Sequence, residues 1–280
     1  MKQCSYCGKV FNEKIAEDRR TKEHLFPKFL VDFFPEQKIT FLSNGKNFID
    51  NNGQSINDVC GQCNNVVLSN LDNSVKGFIE ENFLREFEVK DLLKVKFDYN
   101  IFSRWLIKTA FNYNRIYKLD NTWFENNIKF ILNGEKNKNI YSIFAGLHID
   151  LTPFGERNLQ YMPLSVVHNL KFYQSGAVAE LLLKIKDKPL NFNNLNETYA
   201  FRFGNSMFIL MLWDNHADLE YVQSIECVIE KLFPYKCIKN EDVILQRCNA
   251  AFPYLQNNII TGNVGIALGD KLLAQMFGKY

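Results

Sequence analysis

Val59-Cys60-Gly61-Gln62-Cys63-Asn64-Asn65-Val66-Val67-Leu68 is the stretch from which the fold can be read outward. It carries a Cys-x-x-Cys pair. From Asn64 onward, Val67, Leu68, Leu71, Val75, Phe78, Ile79 and Phe83 recur at helical spacing, so the pair stands at the start of a helix. A second pair, Cys4 and Cys7, lies far upstream. Two such pairs in the first quarter of a chain predict one tetrahedral structural Zn2+ site. Thiolates are soft, anionic and small enough to close a four-coordinate shell. Gly8 follows the first pair and Gly61 sits inside the second, where a tight knuckle needs backbone freedom. A thiol redox protein is the rival reading, but it gives no reason for two copies so far apart.

Between the pairs, Ser43-Asn44-Gly45-Lys46 and Asn51-Asn52-Gly53-Gln54 are Asn-Gly hairpin signals flanked by β-prone runs. The expected order is strand, loop, strand, helix, with metal ligands at the joints, and residues 1–82 form this cysteine-bearing domain. It also contains Thr21-Lys22-Glu23-His24-Leu25-Phe26-Pro27. Glu23, His24 and Asn64 offer a carboxylate, an imidazole and a carboxamide oxygen. Those are the parts of a hydrolytic centre built on a hard cation. The plainer alternatives are a surface Glu-His pair and an asparagine that caps a helix.

Taken in order, Cys4-x-x-Cys7, the Thr21–Pro27 string and Val59-Cys-Gly-Gln-Cys-Asn64 resemble the four-cysteine branch of the HNH nucleases. That family shares the ββα-metal fold with phage Holliday-junction resolving enzymes. The resemblance covers about the first 80 of 280 residues. It implies that Glu23 and Asn64 hold one catalytic Mg2+ or Mn2+ and that His24 is the general base. It also implies DNA as substrate, with 5′-phosphate and 3′-hydroxyl products, and the company of phage-defence or mobile-element nucleases. The chain departs from the pattern in three ways. The first ligand is Glu rather than the shorter Asp or a His. The segment from Leu25 to Val59 is longer and must hold an extra turn or a substrate-binding loop. Asn57 is the nearest counterpart of the asparagine that braces the family's loop, at an unusual offset from Cys60.

The whole chain reads as α+β. Residues 83–280 form a mixed helical and β-hairpin-containing C-terminal domain, expected to recognise substrate, a protein partner or a ligand. Phe102, Trp105, Leu106, Thr109, Ala110, Tyr113, Ile116 and Tyr117 make one amphipathic stripe. A helix is expected from Thr122 to Asn133, stopping at Gly134, then a strand from Ile140 to Ile149. Tyr199–Phe203 and Ser206–Trp213 form a hairpin around Gly204-Asn205, and a helix over 217–233 ends at Pro234. Trp105 reads as core with Arg104 and Lys108 outside it, although the three could also grip a nucleic-acid strand. His148, His168 and His216 show no ligand spacing, and Cys227, Cys237 and Cys248 read as buried thiols.

Composition narrows the setting. With 280 residues and 46% hydrophobic content the chain can bury a substantial core. The longest apolar run, Met207–Trp213, is too short to cross a membrane, and no apolar signal region follows Met1. Seven cysteines, an odd number, fit a reducing cytoplasm better than a disulfide framework. A net charge of +2 argues only weakly for nucleic acid. Residues 90–140, however, hold ten basic side chains against five acidic ones, which can face a phosphate backbone or simply water. The alternative to an endonuclease is a non-catalytic zinc module that binds nucleic acid or protein.

Overall fold

The computed structural model describes residues 2–34, 39–43, 46–50, 54–85, 87, 91–136, 140–147, 164–168, 194–204, 206–214, 216–232, 235–239 and 241–246. Strand β1 (Arg20–His24) leads into a short helix α1 (Lys28–Phe33), a hairpin β2 (Ile39–Ser43) and β3 (Lys46–Asp50), and then β4 (Ser55–Cys60). β4 returns antiparallel to β1, with Arg20 opposite Cys60 and His24 opposite Ser55. The hairpin is therefore an excursion between two paired strands, which accounts for the length of the Leu25–Val59 segment. The register slips between Thr21 and Glu23, a bulge that re-aims the side chains around it.

After Gly61 the chain winds as a π-helical turn, Cys63–Leu68, which runs directly into α2 (Ser69–Phe83). The expected strand, loop, strand, helix order holds for β1, β4 and α2, with α1 and the β2–β3 hairpin set between the strands; the turn signal at Asn51-Asn52-Gly53 lies outside the described residues. Leu71, Val75, Ile79 and Phe83 are the buried face of α2, at the spacing that predicted it. Wide π turns are rare and recur at functional sites; this one contains Asn64.

Strand β5 (Leu92–Lys96) precedes α3 (Tyr99–Tyr117). Asp98 caps α3, its carboxylate accepting from the Ile101 N–H at 3.1 Å. From Phe102 to Arg115 nearly every side chain of α3 is buried, so this is a central helix rather than a surface one. The single helix expected over Thr122–Asn133 is two, α4 (Thr122–Asn126) and α5 (Ile128–Asn133). The break falls at Asn127, whose amide donates to the Trp123 carbonyl at 2.7 Å and competes with the helical ladder.

The remaining strands are β6 (Tyr141–Leu147), β7 (Leu164–His168), β8 (Leu195–Phe203), β9 (Ser206–Trp213) and β10 (Lys236–Cys237), with α6 (Leu219–Leu232) before β10. They form an antiparallel five-stranded sheet in the order β10-β6-β9-β8-β7. β11 (Asp242–Gln246) pairs with β5. All eight residues of β9 are buried, which explains its unbroken apolar run. Phe208, Leu210 and Leu212 join the cluster that holds α3; Met207, Ile209, Met211 and Trp213 join Val222, Ile225, Val228 and Ile229 of α6. The larger cluster of buried apolar residues extends from Cys4 through Leu245 and crosses residue 83 without a break in packing.

The molecule is thus α+β, and no helix among the described residues is long and apolar enough to cross a membrane. Two expectations are corrected. Lys108 lies inside rather than outside, at 1% exposure, because two carboxylates await it there. Cys227 is exposed on α6 while Cys237 is buried; the apolar neighbours of Cys227 occupy the opposite face of that helix. His148 and Cys248 fall outside the described residues, as does the turn at Asn44-Gly45.

One glycine is fixed by close approach. A Cβ at Gly61 would sit 2.2 Å from the Ala16 carbonyl oxygen, a backbone atom that cannot swing aside. Gly61 N–H also donates to the Arg19 carbonyl at 3.0 Å, stitching β1 to the second knuckle. Gly61→Ala is expected to destabilise the chain by about 2–3 kcal/mol, read as an earlier midpoint in urea and a faster loss of metal to a chelator.

Candidate functional site

The four sulfurs of Cys4, Cys7, Cys60 and Cys63 lie within 4.8 Å of one another. Cys7 Sγ and Cys60 Sγ are 3.7 Å apart, which matches the edge of about 3.8 Å expected of a tetrahedron with ~2.3 Å metal–sulfur bonds. The first knuckle closes through Cys4 N–H to Lys9 O at 2.9 Å and Gly8 N–H to Cys4 O at 2.8 Å. Gly8 turns it with a φ of +72°, a conformation that suits glycine. Backbone N–H groups of Cys60 and Cys63 point at the sulfurs of Cys4 and Cys60, at 3.3 and 3.4 Å, and spread their negative charge.

The thiols divide one proton deficit among themselves. Hydrogen bonding from Cys63 lowers Cys4 to about 4 against the opposing effect of burial. Burial raises Cys7 to about 11, and the bond to Cys4 holds Cys63 above its ordinary value. A soft dication suits four sulfurs this close, so the tetrad can hold a structural ion such as zinc.

Beside the tetrad lies a cleft of about 400 Å³ whose walls include Lys22, Glu23, His24, Asn64, Asp72 and Lys108. Glu23, His24 and Asn64, singled out from the sequence, therefore line one cavity. Glu23 and His24 end β1; Asn64 enters from the π turn. The amide nitrogen of Asn64 donates to Thr21 Oγ1 and to Lys22 O, both at 3.0 Å. Both its N–H bonds are spent on β1, and its oxygen is the carboxamide atom that the strand does not use.

Glu23 is only 5% exposed. Its Oε1 accepts from Lys108 Nζ at 2.8 Å and from Asn112 Nδ2 at 3.0 Å. Lys108 also donates to both carboxylate oxygens of Asp72, each at 2.9 Å. Burial alone would drive the lysine toward neutrality, but the Asp72 and Glu23 carboxylates outweigh it and hold its pKa above the ordinary value, so the ammonium stays charged. Asp72 is raised by its own burial, against the pull of Lys108, and Trp105 Nε1 donates to it at 3.0 Å.

Asn112, not Asn57, braces the end of β1. Its amide nitrogen also holds the His24 carbonyl at 2.9 Å, and its oxygen accepts from the Tyr6 hydroxyl at 2.8 Å. Arg115 ties the same Asn112 oxygen to Asp58 on β4. Asn57 itself is exposed on β4. The cleft is therefore completed by α3, through Lys108 and Asn112, and by Asp72 of α2. Sequence reading missed Asp72 and Asn112 and placed Lys108 on the outside. The available signal was polar residues at 108, 112 and 115, a helical spacing, inside a helix otherwise rich in Trp, Phe and Leu. Lys108→Ala leaves two acids facing each other in a buried place and is expected to cost about 3–5 kcal/mol. Urea denaturation measures this, and Asp72→Asn with Lys108→Met recovers most of the loss.

The basic residues sort themselves by burial. Lys108 and Arg115 are consumed by internal ion pairs, and Arg104 donates to the carbonyls of Ile131 and Leu132 at the end of α5. These three do not belong to an outer patch. Lys22 and Lys28 are exposed at the cleft, Arg20 lies over the Phe11 ring, and Asp18 is buried against Lys9. His168 packs between Tyr113 and Tyr199 with its Nε2 3.8 Å from Glu197, a structural setting.

The Glu23 carboxylate and the Asn64 carboxamide offer hard oxygen donors, and both residues line the cleft. That donor set fits Mg2+ or Mn2+. Comparison of the chain with protein-family models, with curated proteins and with solved structures gave no match.

Proposed function

We propose that this protein is an HNH-type endonuclease that hydrolyses phosphodiester bonds in DNA, with a four-cysteine zinc site as its scaffold. One observation carries the reading: Glu23, His24 and Asn64 line a single cleft beside the cysteine tetrad. An antiparallel strand pair followed by a helix, with the histidine ending the first strand and the asparagine in the π turn that leads into the helix, supports this reading, since the motifs resemble a ββα-metal family.

The chemistry follows from the side chains. Imidazole is the side chain that ordinarily exchanges a proton near neutral pH, so His24 takes the proton of the attacking water. Asn112 fixes the His24 carbonyl and with it the end of β1, which orients the ring. Glu23 and Asn64 hold the divalent cation, which when bound stabilises charge on the scissile phosphate and on the leaving 3′ oxygen. Lys22 and Lys28 at the rim hold flanking phosphates. The C-terminal domain selects the substrate or a partner.

The test is a supercoiled plasmid incubated with the zinc-loaded full chain and Mg2+ or Mn2+. Nicking that depends on the added cation and disappears in His24→Ala is the expected result. No nicking, or nicking unchanged by the substitution, overturns the catalytic reading and leaves a non-catalytic zinc module that binds nucleic acid or protein.

A further inference from the structure

Lys108 is an anomaly for a cation-binding cleft, because a fixed positive charge occupies the carboxylate that should ligate the metal. Its Nζ lies 2.8 Å from Glu23 Oε1 and 2.9 Å from Asp72 Oδ2, with 1% of its side chain exposed. It cannot swing away into solvent as a surface lysine does. Asp72 is held in turn by Trp105 Nε1, so the ammonium is fixed between two acids that are themselves fixed.

The charges sum simply. Glu23, Asp72 and Lys108 together carry −1, and the rim adds Lys22 and Lys28. A lone dication entering the cleft meets a ligand carboxylate already neutralised at contact distance, with further positive charge at the mouth. Each phosphodiester supplies one negative charge in the same place. We infer that Lys108 is a positioning residue that orients Glu23 and weakens the free protein's hold on its divalent cation, so that cation loading waits for a nucleic-acid phosphate. This rests on the nuclease reading and adds to it an order of events: substrate and metal bind together, and the unliganded protein stays largely metal-free in its cleft. Asp72 keeps the ammonium in place, and Asn112 shares Glu23 Oε1 with it.

The experiment measures Mn2+ binding to the zinc-loaded full chain by electron paramagnetic resonance of the free ion. All chains carry His24→Ala to prevent cleavage, and each is measured with and without a DNA duplex. The parent chain should bind Mn2+ weakly alone and more tightly with DNA. Lys108→Met should bind Mn2+ at least ~10-fold more tightly without DNA, since a full charge at contact distance is worth more than one decade, and DNA should then add less. Lys108→Arg should behave as the parent. Because Lys108→Met is strained by its two acids, Asp72→Asn with Lys108→Met is measured in parallel; it too should bind free Mn2+ more tightly than the parent. Unchanged or weaker Mn2+ binding in whichever of these two chains keeps native circular dichroism and zinc content overturns the inference, as does the absence of Mn2+ binding by every chain. A protein that nicks plasmid but ignores residue 108 in Mn2+ affinity sinks this inference alone. One that never nicks, yet responds to residue 108, sinks only the nuclease.

Discussion

His24→Ala is expected to slow plasmid nicking by about 10²- to 10⁴-fold, the usual contribution of a positioned general base, without unfolding the chain. The imidazole is half-buried at the end of β1, and that end is anchored through the backbone, by Asn112 on the His24 carbonyl at 2.9 Å and by the Leu25 N–H on the Gln54 carbonyl at 2.7 Å. Alanine keeps both contacts. Zinc content and the urea midpoint should therefore stay near those of the parent while the rate collapses. Asn112→Ala makes the contrast. It removes the brace on His24 and on Glu23 together and opens a buried gap beside Tyr6, so stability and rate should fall in parallel. A His24→Ala chain that loses rate and fold together would show the ring to be a packing element instead.

Stripping the tetrad should have the largest effect on the fold. Structural zinc sites contribute about 10–16 kcal/mol of apparent binding free energy at neutral pH, comparable to the whole stability of a typical domain, about 5–15 kcal/mol. Cys60→Ser, or a strong chelator with a denaturant-free wash, should therefore melt β1, β4 and the π turn. The cause is local. Cys60 ends β4, its N–H serves Cys4 Sγ, and its sulfur takes the Cys63 N–H. After chelation, three buried sulfurs and that of the exposed Cys7 remain crowded together with no dication to bind them. Circular dichroism and zinc release followed by a colorimetric dye measure this. Retention of full helicity after complete zinc loss would show that apolar packing alone carries the N-terminal region.

Short-range chemistry made much of this legible in advance. The Cys-x-x-Cys spacing, the helical period from Val67 to Phe83 and the hairpin at Gly204 each depend on residues close in sequence, and each is where it was expected. The convergence of Glu23, His24 and Asn64 was legible only because two cysteine pairs bracket Glu23 and His24, and Asn64 directly follows the second, so that folding around one ion brings distant segments together. What stayed hidden came from across the fold. Lys108 looks like any amphipathic cation until Asp72 and Glu23 stand opposite it, and nothing local to residue 108 announces them. Asn112 replaced Asn57 for the same reason: the brace arrives from a helix far along the chain, not from the neighbouring strand. The break at Asn127 depended on a side chain bonding back to Trp123, which helical periodicity does not register.

The position of α3 between the cysteine-bearing strands and the five-stranded sheet has a consequence during synthesis. A nascent chain extended only to α2 already owns its thiols, its histidine and its asparagine. It has neither the ammonium that steadies Glu23 nor the amide that grips the His24 carbonyl, because both arrive with α3. The complete cleft therefore assembles late, once α3 has left the ribosome, and shorter fragments lack two of the side chains that set its geometry.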